Sequence, residues 1–193
     1  LQDLWGQSWT IECWCKIANL KQYYPCIVTL NNPIDTNSGA WFKFRKNDTG
    51  YMQIEQIQGN VIASSVPFTA NTWTHVACVR NGSTITIYIN GTARGSGSVT
   101  NSASQRFNTL GVGCEYNADL AASFSNQCWN GDISQVHISR LALYTSNFTP
   151  KQNLFPSDLS KSMFFLGADG YDLVTGKSLD VGSVAVPKNV FLL

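Results

Sequence analysis

Apolar and polar side chains alternate with great regularity between residues 71 and 97. In the first half, alternate positions from Trp73 to Val79 share one face, and those from Thr74 to Arg80 share the other. The alternation resumes after Asn81-Gly82, and a second Asn-Gly pair at 90–91 ends the outgoing run. Period-two alternation broken by Asn-Gly is the strongest local signal for an antiparallel hairpin, because both residues tolerate positive φ.

Similar alternation predicts about ten short strands and no helix longer than a turn or two. Because short strands separated by turns are typical of sandwiches, we expect an all-β, two-sheet antiparallel fold. The slip between Ile133 and Val136 predicts a β-bulge at Ser134-Gln135, and Leu141–Tyr144 is predicted to form a short helical turn. Outside the central hairpin, strands are predicted at residues 8–17, 26–30, 40–46, 51–59, 61–65, 106–114, from 131 onward, 163–168, 179–186 and 190–193.

Composition narrows the class of partner. Charged residues make up 13% of the 193 residues and the formal net charge is +1, so no basic face is available for a nucleic acid. No apolar run approaches the roughly 18 residues of a membrane span, so we expect no membrane insertion. The length suits one sandwich domain with a substantial core.

Catalysis is not expected. A glycosidase needs two carboxylates flanking the bond, and the chain has three glutamates, Glu12, Glu55 and Glu115, without an acidic pair on one strand face. Glu12 and Glu55 are interpreted as solvated strand positions. Neither His75 nor His137 has a neighbouring Ser or Cys nucleophile in a strained turn or the spacing of a zinc site.

The loop between residues 115 and 130 is long for a compact domain, and such loops often carry binding sites. Its aromatic and amide side chains suit a glycan, although Trp129 could instead cap the core edge. Tyr23 and Tyr24 form a second candidate aromatic pair. The candidate glycan-binding residues are Tyr116, Asn117, Asn126, Gln127 and Trp129.

Five of the six cysteines fall into two groups, and Cys26 belongs to neither. Cys13, Cys15 and Cys78 lie in predicted strands and are interpreted as small buried apolar residues. Cys114 and Cys128 bracket the polar loop and could close it with a disulfide, or remain as thiols.

Three segments resemble the laminin-G-like, concanavalin A-like jelly-roll modules. They are WTIECWCKI at 9–17, WTHVACVRNGSTITIYING at 73–91 and GDISQVHISRLALYTSNFTP at 131–150. The third is similar to modules in tail and other virion proteins of bacteriophages and environmental viruses. The resemblance covers about residues 8–150 and implies the fold, but no particular ligand.

The resemblance also bears on single residues. It implies that His75 is a packed structural residue, while His137 stands where the family more often has Arg. Many relatives hold calcium at the rim, but Ser134 replaces the usual Asp ligand. A calcium site therefore stays open only in the loop, where oxygen ligands alternate at Glu115, Asn117 and Asp119.

The tail, residues 157–193, resembles the strand that normally opens such a module. We expect one domain over 1–193, in which the tail completes either its own sandwich or that of a neighbouring copy.

We therefore expect a non-catalytic surface or adhesion module on a virion or outside the cell. As a virion component (tail, fibre or surface decoration), it would present the 115–130 loop to a glycan or cell-surface receptor. The alternative is an extracellular assembly protein that polymerises through its C-terminal strands without a sugar ligand. A glycosidase is the third class and would require distant carboxylates to meet.

Overall fold

A computed structural model shows an almost entirely β protein. It describes residues 7–31, 41–56, 61–98, 109–114, 127–166, 171–172 and 177–178. The strands are β1 (Trp9–Ile17), β2 (Cys26–Asn31), β3 (Trp41–Lys46), β4 (Tyr51–Gln56), β5 (Val61–Pro67), β6 (Thr74–Asn81), β7 (Thr84–Ile89), β8 (Thr92–Ser98), β9 (Thr109–Val112), β10 (Gly131–Ser139), β11 (Ser162–Phe165), β12 (Tyr171–Asp172) and β13 (Lys177–Ser178).

The strands form two large antiparallel sheets, which confirms the predicted sandwich. The six-stranded sheet has the order β11-β10-β1-β6-β7-β8, and the five-stranded sheet has the order β5-β4-β3-β2-β9. β12 and β13 form a separate two-stranded sheet. No helix in the described part of the chain is long and apolar enough to cross a membrane.

The core lies between the two large sheets and follows from the alternation. On β1, the side chains from Trp9 to Ile17 at every second position are buried in it, including Cys13 and Cys15. Cys78 on β6 is also fully buried, so the interpretation of these cysteines as small apolar residues is confirmed.

The predicted central hairpin is confirmed in β6 and β7. Only Gly82 has a positive φ, of 60°, in the Asn81-Gly82 turn. In the second Asn-Gly pair both residues do, with φ values of 49° for Asn90 and 75° for Gly91. This second turn leads directly into β8, which the sequence did not predict because its Gly-, Ser- and Thr-rich residues read as a loop.

The bulge predicted in β10 is confirmed, since the pairing with β1 shifts between Glu12–His137 and Trp14–Ser134 and Gln135 has a φ of 57°. The helical turn predicted at Leu141–Tyr144 is wrong. Residues 140–156 instead form an irregular strap across the outer face of the six-stranded sheet. A helix in this segment would lose the contacts between the strap and the sheet.

Hydrogen bonds and ring packing hold the strap to the sheet. The Thr10 hydroxyl donates to the Leu141 carbonyl at 2.7 Å, and the Trp14 indole donates to the Lys151 carbonyl at 3.0 Å. Tyr144 and Phe148 stack at 3.5 Å between ring centroids and pack on the outer side of β6 and β7. One outer face of the sandwich is therefore covered.

Two glycines allow the sheets to approach each other along one side, where β8 faces β5. A Cβ atom at Gly95 would lie 2.2 Å from the Ala63 carbonyl oxygen, and one at Gly97 would lie 2.9 Å from the Ile62 side chain. Side chains at these positions would force the sheets apart.

The described part of the tail begins at the opposite end of the six-stranded sheet from β8. β11 pairs with β10 of the same chain, and Met163, Phe164 and Leu166 join the core. The strands predicted at 179–186 and 190–193 lie outside the described residues. Whether a neighbouring copy exchanges this region, and whether 1–193 forms one domain, stay predictions.

The turn at Gly91 predicts a large effect of substitution. Gly91→Ala should lower the free energy of unfolding by more than about 2 kcal/mol, because a residue with a side chain pays for the positive φ and also meets the strap. The Cβ atom of an alanine at position 91 would clash with the Phe148 carbonyl. Gly82 also has a positive φ, of 60°, but a Cβ atom added there would have no neighbour within 4 Å. Gly82→Ala is therefore the matched control, with an expected loss of about 1 kcal/mol.

Urea unfolding measures both losses, provided that the dependence of the unfolding free energy on urea concentration has the same slope in both variants. Equal losses for the two variants would contradict the close contact between the turn and the strap.

Candidate functional site

The outer face of the five-stranded sheet carries a row of polar side chains. Strand pairing aligns Thr29 with Lys43, Lys43 with Glu55, and Arg45 with Gln53. Because side chains at alternate positions share a face, these five residues lie on the side opposite the core residues Phe42 and Phe44. The face thus combines donors and acceptors from three adjacent strands.

Arg45 organises this row. Its guanidinium forms an ion pair with the Glu55 carboxylate. With the Gln53 amide turned so that its oxygen faces Arg45, that oxygen accepts hydrogen bonds from Arg45 at 3.1 and 3.3 Å. The ring of Tyr24 lies over the guanidinium, 4.4 Å from its central carbon to the ring centroid. Glu55 lies on the outer face as predicted, but it is paired with Arg45 instead of solvated.

An aromatic pair stands at the end of this row. Tyr23 is 59% exposed, and its ring meets that of Tyr24 edge to face with 4.7 Å between centroids. Tyr24 has a φ of 42°, a backbone conformation that turns the chain sharply between the two rings. Such rings offer an apolar surface beside a polar one, which is the combination found in many ligand sites.

The tyrosines belong to the tyrosine loop, residues 18–25, which connects β1 and β2. The buried Lys46 ammonium donates to backbone carbonyls of this loop, and burial lowers the pKa of Lys46 while the nearby Asp48 carboxylate opposes that shift. The Gln22 side chain bonds the Cys128 carbonyl and accepts from the Asn130 amide at 3.1 Å. The loop is thus attached to both β3 and the segment that precedes β10.

The predicted 115–130 loop begins and ends beside the tyrosine loop. A disulfide joins Cys114 and Cys128 in the structure. The Thr29 hydroxyl donates to the Cys114 carbonyl at 3.2 Å, and Cys26 forms a parallel bridge with Cys128. Both ends of the loop therefore lie against β2, the strand that follows Tyr23 and Tyr24 directly in the chain.

Only part of the predicted glycan set lies within the described residues. Trp129 is 5% exposed; its indole donates to the Lys16 carbonyl at 3.0 Å, and its ring packs edge to face on Phe68. Of its two predicted roles, glycan binding and capping of the core edge, Trp129 therefore has the second, and no ring face is free for a sugar. Gln127 is partly buried. Tyr116, Asn117 and Asn126 lie outside the described residues.

The predicted calcium ligands, Glu115, Asn117 and Asp119, also lie outside the described residues, so that site stays a prediction. Within the ranges that the structure describes, no three His, Cys, Asp or Glu side chains group in a way that could hold a metal ion.

The interpretation of Glu12 as a solvated strand position is wrong. Glu12 is only 2% exposed, because the strap covers the outer face of β1. The carboxylate accepts from Nε2 of His75 at 3.1 Å, Nδ1 of His137 at 3.0 Å and the hydroxyl of Tyr144 at 2.8 Å. His75 is also packed between Trp14 and Phe148, which confirms its structural role.

These hydrogen bonds decide the ionisation of Glu12. Burial alone would raise the pKa of Glu12, but the bonds from His137, His75 and Tyr144 outweigh it and hold the pKa at about 2. Burial, together with the same carboxylate, raises the pKa of Tyr144 well above its usual range. Glu12 is thus an ionised acceptor that links β1, β6, β10 and the strap.

One further contact arranges a hydroxyl, an imidazole and a carboxylate in the same hydrogen-bonded series as in a catalytic triad. The Ser162 hydroxyl lies 3.0 Å from Nε2 of His137, whose Nδ1 faces Glu12. Sequence reasoning missed it because Ser162 is far from His137 along the chain. Ser162 is 4% exposed on strand β11, so its hydroxyl is closed to a substrate and the cluster is structural.

The Glu12 cluster predicts acid sensitivity. A carboxyl whose pKa falls from its ordinary 4.5 to about 2 on folding stabilises the fold fully above pH 4.5 and loses that stabilisation as the pH falls through 2. The stability difference between wild type and Glu12→Gln should therefore shrink by on the order of 3 kcal/mol from pH 5 to pH 2. Urea unfolding at several pH values measures it.

The exposed Asp158→Asn variant is the control, since its lowered carboxyl pKa arises from hydrogen bonds with Ser160 at the surface and should matter little. A wild-type advantage over Glu12→Gln that stays constant across this pH range would contradict an ionised buried carboxylate.

Comparison with known proteins gives the fold a family. The laminin G family model described as the concanavalin A-like lectin/glucanases superfamily matches residues 2–147. A search of curated proteins found no match.

Solved structures agree on the fold at low sequence identity. A candidate carbohydrate-binding protein of Bacteroides ovatus has a TM-score of 0.62 and 16% identity over 86% of this chain, which spans 46% of that protein. The CBM40 module of the Ruminococcus gnavus IT-sialidase, bound to α2,3-sialyllactose, has a TM-score of 0.59 and 12% identity over 72% of this chain and 78% of the module.

A third structure, the heptameric SAP-like pentraxin of Limulus polyphemus, has a TM-score of 0.52 and 18% identity over 72% of this chain and 66% of the pentraxin. Because the family model covers most of the sequence and the two-sheet fold agrees with it, the chain belongs to the concanavalin A-like lectin/glucanases superfamily.

Proposed function

We propose that this protein is a non-catalytic surface module that binds a glycan through the outer face of its five-stranded sheet. The observation that carries the proposal is the tyrosine pair, with Tyr23 59% exposed and Tyr24 half-buried, beside the Arg45–Gln53–Glu55 row. A sugar ring has apolar C–H faces and a rim of hydroxyl groups. The tyrosine rings suit the former, and the partly exposed side chains of Lys43 and Glu55 in the polar row suit the latter.

Other observations support this proposal over an enzyme. Two of the similar structures are named as carbohydrate-binding, and one of them holds a sialylated sugar. Glu55 is paired with an arginine, not with the second carboxylate that glycoside hydrolysis needs. The Glu12 cluster is covered by the strap and closed to substrates.

The predicted 115–130 loop stays part of the proposal, because a disulfide joins the two cysteines Cys114 and Cys128. Its predicted residues Tyr116, Asn117 and Asn126 follow directly from Cys114 or precede Cys128, and both cysteines lie beside the tyrosine loop. A stable disulfide also suits an oxidising environment outside the cell. We therefore place the protein outside the cell or on a virion surface, as a tail, fibre or decoration component. The virion assignment rests on the resemblance of residues 131–150.

Tyrosine substitutions test the glycan site. Tyr23→Ala and Tyr24→Ala should each weaken binding of the best ligand from a glycan array at least tenfold, about 1.4 kcal/mol, because each removes an apolar contact surface. Titration calorimetry measures the affinities.

Phe155→Ala is the matched control, since Phe155 is also an exposed aromatic residue, at 52%, but contacts Phe165 on the other sheet. An array without any bound glycan, or unchanged affinity in both tyrosine variants, would reject the proposal.

An assembly role is the second candidate, favoured by the position of β11 at the outer edge of the six-stranded sheet. An edge strand offers unpaired backbone groups to a neighbouring chain. If assembly is the function, the full chain should sediment as an oligomer at micromolar concentration.

Deletion of residues 157–193 should then abolish the oligomer, because it removes the edge strand β11 together with the rest of the tail. A full chain that sediments as a monomer would reject this alternative.

A further inference from the structure

A lysine side chain lies where it is least expected, inside one end of the sandwich. Lys46 is the last residue of β3 and is fully buried, on the same side of the strand as Phe42 and Phe44. Its ammonium donates to three backbone carbonyls, those of Leu20 at 2.8 Å, Gln22 at 3.0 Å and Asn47 at 2.6 Å. Each of its three protons therefore has an acceptor.

We propose that Lys46 is the positioning residue of the Tyr23–Tyr24 pair. Its ammonium acts as a built-in monovalent cation that gathers three carbonyls and fixes the tyrosine loop against β3. The consequence for ligand binding rests on the function proposed above, whereas the ordering of the loop does not.

The geometry distinguishes this role from ordinary burial of an aliphatic stem. Two of the acceptors, Leu20 and Gln22, come from the loop itself and lie before the tyrosines, while the Lys46 amide donates to the Pro25 carbonyl at 3.0 Å after them. Lys46 thus holds both ends of the short segment that carries the two rings. Without it, two loop carbonyls would lose their donor and turn toward water.

Neutral carbonyls at these distances suit an ammonium or potassium ion more than calcium. Calcium binds six to eight oxygens at about 2.3–2.6 Å and favours carboxylates. Here three carbonyls surround the cation at 2.6–3.0 Å. The chain therefore supplies the cation itself, and the ordering of the tyrosine loop should not depend on calcium.

The tyrosine loop offers a matched control for Lys46. Lys21 lies in the loop but is exposed, so Lys21→Met removes a charge of the same kind without touching the carbonyls. Lys46→Ala removes the ammonium and leaves space, whereas Lys46→Met removes the ammonium and keeps the space filled. All three variants are made in the full chain.

Hydrogen exchange measured by mass spectrometry reads the loop directly. In Lys46→Ala and Lys46→Met the amides of residues 18–24 should exchange at least tenfold faster than in wild type, and Lys21→Met should match wild type. Adding methylammonium or potassium chloride should restore protection in Lys46→Ala but not in Lys46→Met. Sodium chloride at the same ionic strength should restore neither.

Three results would overturn the proposal: wild-type protection in Lys46→Ala, rescue by sodium as complete as that by methylammonium, or no rescue by any cation. If the Lys46 variants do not fold, reductive methylation of the wild-type protein replaces them. Lys46 should then react at least tenfold more slowly than Lys21, and equal rates would overturn the proposal.

Glycan affinity separates this inference from the proposed function. Lys46→Ala should weaken the best array ligand at least tenfold, and methylammonium should recover the loss. If wild type binds no glycan but the exchange results hold, the proposed function fails and the role of Lys46 stands. If wild type binds and Lys46→Ala binds equally well, the function stands and the positioning role fails.

Discussion

Burial of the Glu12 carboxylate constrains one half of the sandwich. An ion away from water is tolerable only where donors replace its hydration, and here they come from His75, His137 and Tyr144. These donors belong to β6, β10 and the strap, so the pairing of β1 with both neighbours and the path of the strap depend on one another. A slip of one residue in β1 would turn Glu12 toward the apolar core and Ile11 toward the strap.

The two outer faces of the sandwich consequently differ. The strap covers β1, β6 and β7 on the face of the six-stranded sheet, where Tyr144 and Phe148 are packed. The face of the five-stranded sheet carries polar side chains that pair with one another, chiefly Arg45 with Glu55. The tyrosine loop and the ends of the disulfide-closed loop meet at one edge of that sheet. The proposed glycan site lies on the side where these polar groups meet the exposed ring of Tyr23.

The alternating pattern predicted most strands because a half-buried strand must alternate, and Asn-Gly marked the turns. β8 was missed because its glycines serve close packing, which looks like loop composition. Glu12 was misassigned since the covering strap comes from residues far along the chain. The row at Arg45 follows from the neighbouring strands predicted at 40–46 and 51–59, but Lys46 gave no local signal, because its acceptors are carbonyls, which every residue has.

The small residues of β8 have a consequence for association. Since Gly95 and Gly97 bring β8 against β5, the two sheets close on that side. Among the described strands, β9 and β11 then form the remaining edges of the large sheets. Joining β11 of one copy to β9 of the next would be a heterologous contact, which builds a ring where the rotation between copies closes and an open filament where it does not. Joining like edges would be isologous and would stop at a dimer.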